Sequence, residues 1–181
     1  MSKYLRRVPA SSFGDWGKFC NEIESVVKKV GVISHENKSQ ERDLYCSEEH
    51  FSTIAEDRAH ADTSYKLNFN VGLTKGLSVY LEELFPGSLI AATGNFYYPP
   101  GGYMGWHTNS NFPYKRIYIS WSDGKSYFGY RDPETKEFVK DWDDAGVTVR
   151  EFDCSDDPKD MLWHTVWSDA NRYSFGFRIV K

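Results

Sequence analysis

The 181-residue chain has three cysteines, nine leucines, no strong excess of either charge sign and no long apolar run. Each shortage excludes something. Cys20, Cys46 and Cys154 are an odd number with no CxxC pair, which argues against a disulfide framework and against a thiolate zinc site. Lys plus Arg number 22 against 26 Asp plus Glu, a net charge of −4, so no chain-wide basic field holds duplex nucleic acid or an anionic membrane. The start, Met1-Ser2-Lys3-Tyr4-Leu5-Arg6-Arg7, runs into Pro9 without the apolar stretch of a secretory signal, and no window is apolar for the roughly 20 residues of a membrane span. The expected location is the cytosol. With few leucines, a leucine-packed bundle is disfavoured. What the chain has instead is aromatic residues: 12 Phe, 12 Tyr and 6 Trp, a composition suited to strands.

The length fits one domain. Phe13, Trp16, Phe19, Ile23, Val26, Val27 and Val30 recur at three- and four-residue spacings, which predicts an amphipathic helix ended by Gly31. Residues 34–61 turn polar and charged and read as a loop or lid. Tyr65 to Phe69 alternates as a strand, and Leu73 to Phe85 reads as a second helix stopped by Pro86-Gly87. After Ser88 short strand-like runs follow: 89–98, 116–122, 126–131, 147–152, 162–167 and 172–180, separated by Pro-, Gly- and Asp-rich turns. Regular short strands indicate a sandwich or barrel, so the expected fold is mostly β with N-terminal helices, residues 1–88 supporting a β-core of 89–181.

Strand parity sorts the faces. In the last run Tyr173, Phe175, Phe177 and Ile179 share one face, while Arg172, Ser174, Gly176 and Arg178 share the other. At ~3.3 Å per residue the two arginines lie about 20 Å apart, too far to grip one small carboxylate together. Arg116 and Tyr118 share a face opposite Ile117, Ile119 and Trp121, and with Arg131 they are candidates for contacting a substrate; Asn111 and Tyr114 flank them. His107 and Asn109 point to one side of an extended segment, and His164 sits in an apolar run. Two histidines and an oxygen donor on one face, with positions left open, match a non-haem iron(II) oxygenase site.

In these residues the chain resembles the 2-oxoglutarate- and Fe(II)-dependent oxygenases, particularly small microbial and phage-type members, AlkB dealkylases and prolyl hydroxylases. The carrying features are His107-Thr108-Asn109, the distal His164, Arg172 eight residues later, the approach Tyr98-Pro99-Pro100-Gly101-Gly102 and the closing run Asn171 to Arg178. The similarity covers roughly residues 89–181. It implies a double-stranded β-helix, or jelly roll. It further implies Fe(II) on His107, Asn109 and His164, with 2-oxoglutarate as co-substrate held by Arg172, Ser174 and Tyr98, and molecular oxygen as a reactant. The product implied is a hydroxylated small metabolite or protein side chain.

Asn109 stands where the family pattern has aspartate. Three readings of it stay open: a weaker amide ligand, a position left to water or another anion as in halogenating relatives, or loss of iron chemistry. Asp123 and Asp153 are the possible substitute carboxylates. The alternative function is a non-catalytic jelly-roll module that binds a metal or ligand. Substrate identity and oligomeric state are not legible in the sequence.

Overall fold

The computed structural model describes residues 4–54, 65–109 and 114–181. Asn111 and residues 55–61 of the expected loop lie outside the described residues. Four short helices precede a β-core: α1 (Trp16–Val30), α2 (Ser39–Tyr45), α3 (Glu48–Phe51) and α4 (Ser78–Leu84). The strands are β1 (Leu5–Arg7), β2 (Leu67–Asn68), β3 (Leu89–Tyr98), β4 (Tyr103–His107), β5 (Lys115–Ser122), β6 (Ser126–Arg131), β7 (Phe138–Trp142), β8 (Gly146–Asp153), β9 (His164–Ser168) and β10 (Arg172–Val180).

They form two antiparallel sheets, one in the order β1-β8-β5-β10-β3-β2 and the other β4-β9-β6-β7. Strands adjacent in sequence fall mostly in different sheets, so the chain repeatedly crosses the sandwich. A turn of this kind joins β3 to β4. Pro100 presets its first central residue, Gly101 at φ +85° supplies the left-handed second, and Gly102 N–H donates to Pro99 O at 2.6 Å.

Helix α1 forms as the spacing predicts. The Asp15 carboxylate accepts from Lys18 N–H at 2.9 Å, and Phe19, Ile23 and Val26 are buried. Gly31, at φ +72°, ends it. The buried stripe packs on the six-stranded sheet against Ile117, Ile119, Val149, Phe175 and Phe177. The aromatic face of β10 therefore meets the helices, and its arginine face turns to the interior between the sheets. Asp15→Ala removes the N-cap and should cost about 1 kcal/mol, read by urea unfolding.

Three regions depart from the sequence reading. The polar stretch after Ser34 holds α2 and α3, because Arg42, Cys46 and Phe51 are buried. Arg42 Nη1 donates to Ser168 O at 2.9 Å and Asp169 Oδ1 at 2.7 Å, with its guanidinium over the Trp167 ring. Trp106 Nε1 donates to Ser47 O at 2.7 Å. This segment is a strap on the four-stranded sheet, anchored by side chains too scattered to give a periodic signal. The expected second helix begins as a 3-10 stretch, Val71–Leu77, before α4. Strands β1 and β7 are short edge strands with no clear alternation.

Candidate metal and ligand site

Strand register brings the two histidines together. In the β4–β9 pairing Met104 opposes Val166 and His107 opposes His164, so three residues of β4 span two of β9. That is a β-bulge, which re-aims the side chains after it. Without the extra residue Met104 and His107 would face opposite sides. With it both line one cavity, while Trp106 turns outward onto Phe51 and Phe138. The His107 and His164 rings are 4.1 Å apart between centroids.

The tautomers follow from the partners. His107 Nδ1 lies 2.8 Å from Gly105 O, and His164 Nδ1 lies 2.9 Å from Leu162 O. A carbonyl only accepts, so each Nδ1 donates, and in the neutral ring that ligates a metal each Nε2 carries the lone pair. His164 is fully buried, stacked on Phe128, edged by Tyr118 and tilted against Phe152. Asn109 Nδ2 stands 3.2 Å from His164 Nε2 and donates to the Tyr118 hydroxyl at 3.0 Å. The three expected ligand residues are thus one contiguous cluster. Amide and carbonyl ends of asparagine differ by a half-turn of the side chain. Facing a lone pair the nitrogen end is favoured; facing a cation the oxygen end is.

The cavity beside this cluster measures about 550 Å³ and lies between the sheets, with Tyr98, Ser174, Arg116, Tyr118, Gly176 and Arg178 in its wall. Gly176 leaves room for Tyr118, since a Cβ there would come within 3.2 Å of the ring. Burial pushes the Tyr118 phenol up to about 12, and burial raises Tyr98 as well, so both are neutral hydroxyls at ordinary pH. Lys66 also reaches the cavity, its pKa lowered by burial. Among the described residues in this wall there is no aspartate or glutamate.

Arg172 sits behind the wall. Its Nε donates to Asp143 Oδ2 at 2.8 Å, its guanidinium lies over the Tyr98 ring, and its Nη1 is buried with no hydrogen-bond partner among the described residues. The carboxylate expected from a co-substrate is supplied on one side by the chain itself. Asp143 also takes Arg150 Nη1 at 2.6 Å and the hydroxyls of Ser120 and Ser126 at 2.7 and 2.6 Å. Burial alone would raise its pKa; Arg172 and Arg150 outweigh that and hold it well below the usual carboxylate range. Asp143 has no motif to mark it in the sequence, where it stands between Trp142 and Asp144.

Arg131, a candidate substrate contact, is elsewhere. Phe128 and Tyr130 face the interior, so parity sends Arg131 outward, over the Phe51 ring and 3.8 Å from Glu48. Asp123 is bonded to Asn171 and Asp153 is paired with Lys115, so neither reaches the cluster. Arg178 shares the face of Arg172, and only the cavity distinguishes the two.

The donor set suits a divalent cation through two imidazoles and one amide oxygen, none of them a carboxylate, and the unsatisfied Nη1 of Arg172 suits a carboxylate. No cluster of three His, Cys, Asp or Glu is present among the described residues. No helix among them is long and apolar enough to cross a membrane.

No protein-family model matches the chain, and no curated protein matches it. Among solved structures it is similar to an oxidoreductase of the 2OG-Fe(II) oxygenase family from Burkholderia pseudomallei, at 9% identity and TM-score 0.48, covering 97% of this chain and 84% of that one. It is also similar to a truncated viral collagen prolyl hydroxylase from Paramecium Bursaria Chlorella virus-1, at 13% identity and TM-score 0.41, covering 99% and 90%. At such scores the chemistry rests on the residues of this chain.

Proposed function

We propose that the protein is an Fe(II)- and 2-oxoglutarate-dependent oxygenase on a jelly roll, hydroxylating a small metabolite or a protein side chain. The observation that carries this reading is the cross-strand pair His107–His164, with both Nδ1 atoms donating to carbonyls and Asn109 at His164 Nε2. Numbering β3 to β10 as one to eight, the sheets run 1-8-3-6 and 2-7-4-5, which supports the jelly roll.

His107, His164 and the Asn109 oxygen would hold the metal. Tyr98 and Ser174 would orient the co-substrate, and Arg172 would meet its distal carboxylate through Nη1 while Asp143 fixes the guanidinium. Phe128 and Phe152 keep water from the back of His164 and hold its ring in plane. Tyr118 anchors the Asn109 amide. When bound, the iron and 2-oxoglutarate supply oxidation by dioxygen, with succinate and carbon dioxide as co-products.

The test is oxygen-dependent conversion of 2-oxoglutarate to succinate, followed by NMR on iron-loaded protein. Turnover is expected in the wild type and none in His164→Ala. No turnover, with no 2-oxoglutarate binding by the Mn(II)-loaded chain, overturns the reading.

One observation favours the second reading, a non-catalytic binding module. The ligand cluster lacks the carboxylate that would neutralise part of a divalent charge. A module of this kind binds Mn(II) or a ligand without consuming 2-oxoglutarate, and stays inactive in Asn109→Asp.

A further inference from the structure

The chain pairs its buried arginines with its own carboxylates. Arg42 has Asp169, Arg150 has Asp141 and Asp143, and Arg172 has Asp143. Arg116 is the exception among the buried arginines described. It is 4% exposed and lines the cavity, its Nε is buried without a hydrogen-bond partner, and no carboxylate of the described residues pairs with it. Its contact there is the Cys154 thiol, which cannot neutralise it while protonated.

Directly opposite Arg116, across the β5–β10 ladder, stands Arg178, which lines the same cavity and stacks over the Tyr114 ring. Like charges facing each other across an antiparallel pair repel. A buried guanidinium without a counter-ion is costly, and an anion shared by two guanidiniums removes both penalties. Lys66 adds a third cation to the wall.

We propose that Arg116 and Arg178 form an anion subsite for a carboxylate or phosphate group on a small substrate. This deepens the oxygenase reading by naming the charge of the primary substrate, and it rests on that reading only for the word substrate. The ladder fixes the geometry. Successive rungs on this face of the ladder are Arg178/Arg116, Gly176/Tyr118, Ser174/Ser120 and Arg172/Ser122, of which the first two and Ser174 line the cavity. Tyr118, the hydroxyl partner of Asn109, marks the rung of the metal cluster. The Arg116–Arg178 rung lies on one side of it and Ser174 and Arg172 on the other. An oxyanion held on the first rung leaves the rest of its molecule extending toward His107 and His164. The co-substrate position keeps its own arginine, about 20 Å from Arg178 along the strand.

The experiment uses the full chain, free of metal and co-substrate, with inorganic phosphate and acetate as probes and chloride holding ionic strength constant. Thermal unfolding and calorimetry should show a raised midpoint and binding for the wild type. Affinity should fall at least about tenfold in Arg116→Gln and in Arg178→Gln. Arg116→Gln should be no less stable than wild type without anion. If it fails to fold, Arg178→Gln, at a half-buried position, carries the same test. The tighter of the two probes assigns phosphate or carboxylate.

No response of the wild type to either anion, or an equal response in the variants, overturns the proposal. A second arm measures 2-oxoglutarate binding by Mn(II)-loaded protein. Unchanged affinity in Arg116→Gln supports a separate subsite. Loss of it assigns the arginine pair to the co-substrate and overturns the proposal. Anion binding without any 2-oxoglutarate binding would instead sink the oxygenase reading alone.

Discussion

Asp143→Asn is expected to destabilise the fold by about 3–5 kcal/mol, the range for breaking a buried ion pair from one side. Asp143 is the one carboxylate between Arg150 and Arg172, and its side chain is 1% exposed, as is that of Arg172. An asparagine of nearly equal size keeps some hydrogen bonds but leaves Arg172 with no carboxylate and Arg150 with Asp141 alone. Urea unfolding of the two proteins reads the difference; a loss below about 1 kcal/mol would mean the network is not a buried ion pair in energetic terms.

The same group sets an acid limit. Its folded pKa is depressed relative to the unfolded chain, so its stabilisation is complete above the unfolded value of about 3.9 and is lost as pH falls below that. Wild type should therefore lose stability steeply below about pH 4. Asp143→Asn should show a shallower slope there, because it has no proton to take up at this position. Because Asp143 also fixes Arg172, a weakened 2-oxoglutarate affinity should accompany the variant under folding conditions.

His164→Ala should weaken Mn(II) binding at least about a hundredfold, roughly 2.7 kcal/mol, since it removes one of only two imidazoles. Asn109→Asp should move the other way and tighten Mn(II) by roughly tenfold or more, because a carboxylate adds attraction that the neutral amide lacks. The Tyr118 hydroxyl, which accepts from the amide nitrogen, can rotate to donate to the new carboxylate, so the packing around it is kept. Calorimetry on the metal-free proteins measures both. Weaker binding in Asn109→Asp would show that residue 109 does not reach the cation.

Much of this site is legible from local rules. Parity along β10 and β5 separates the aromatic and polar faces, because side chains alternate wherever a strand is extended. The helix Trp16–Val30 is written in its spacing and its caps. The alternation also groups Ser174 with Arg178 on one face and Arg116 with Tyr118 on another, while the cavity shows that both faces are inner. Parity fails where the backbone stops being regular. It gives no notice of the bulge in β4 that turns His107 inward beside His164, because a bulge depends on pairing with β9 rather than on β4 itself. It also says nothing of which inward arginine is exposed to the cavity.

That last choice separates sequence from tertiary structure here. By itself the sequence determined a β-rich chain, a helix against it, two polar strand faces and a pair of histidines with an asparagine. Only the fold decided that Arg172 is met by Asp143, 29 residues away in the chain, while Arg116 and Arg178 share the cavity wall. The reason is that a guanidinium's role depends on the nearest opposite charge in space, and that neighbour is set by sheet order and register, which no local pattern of residues encodes.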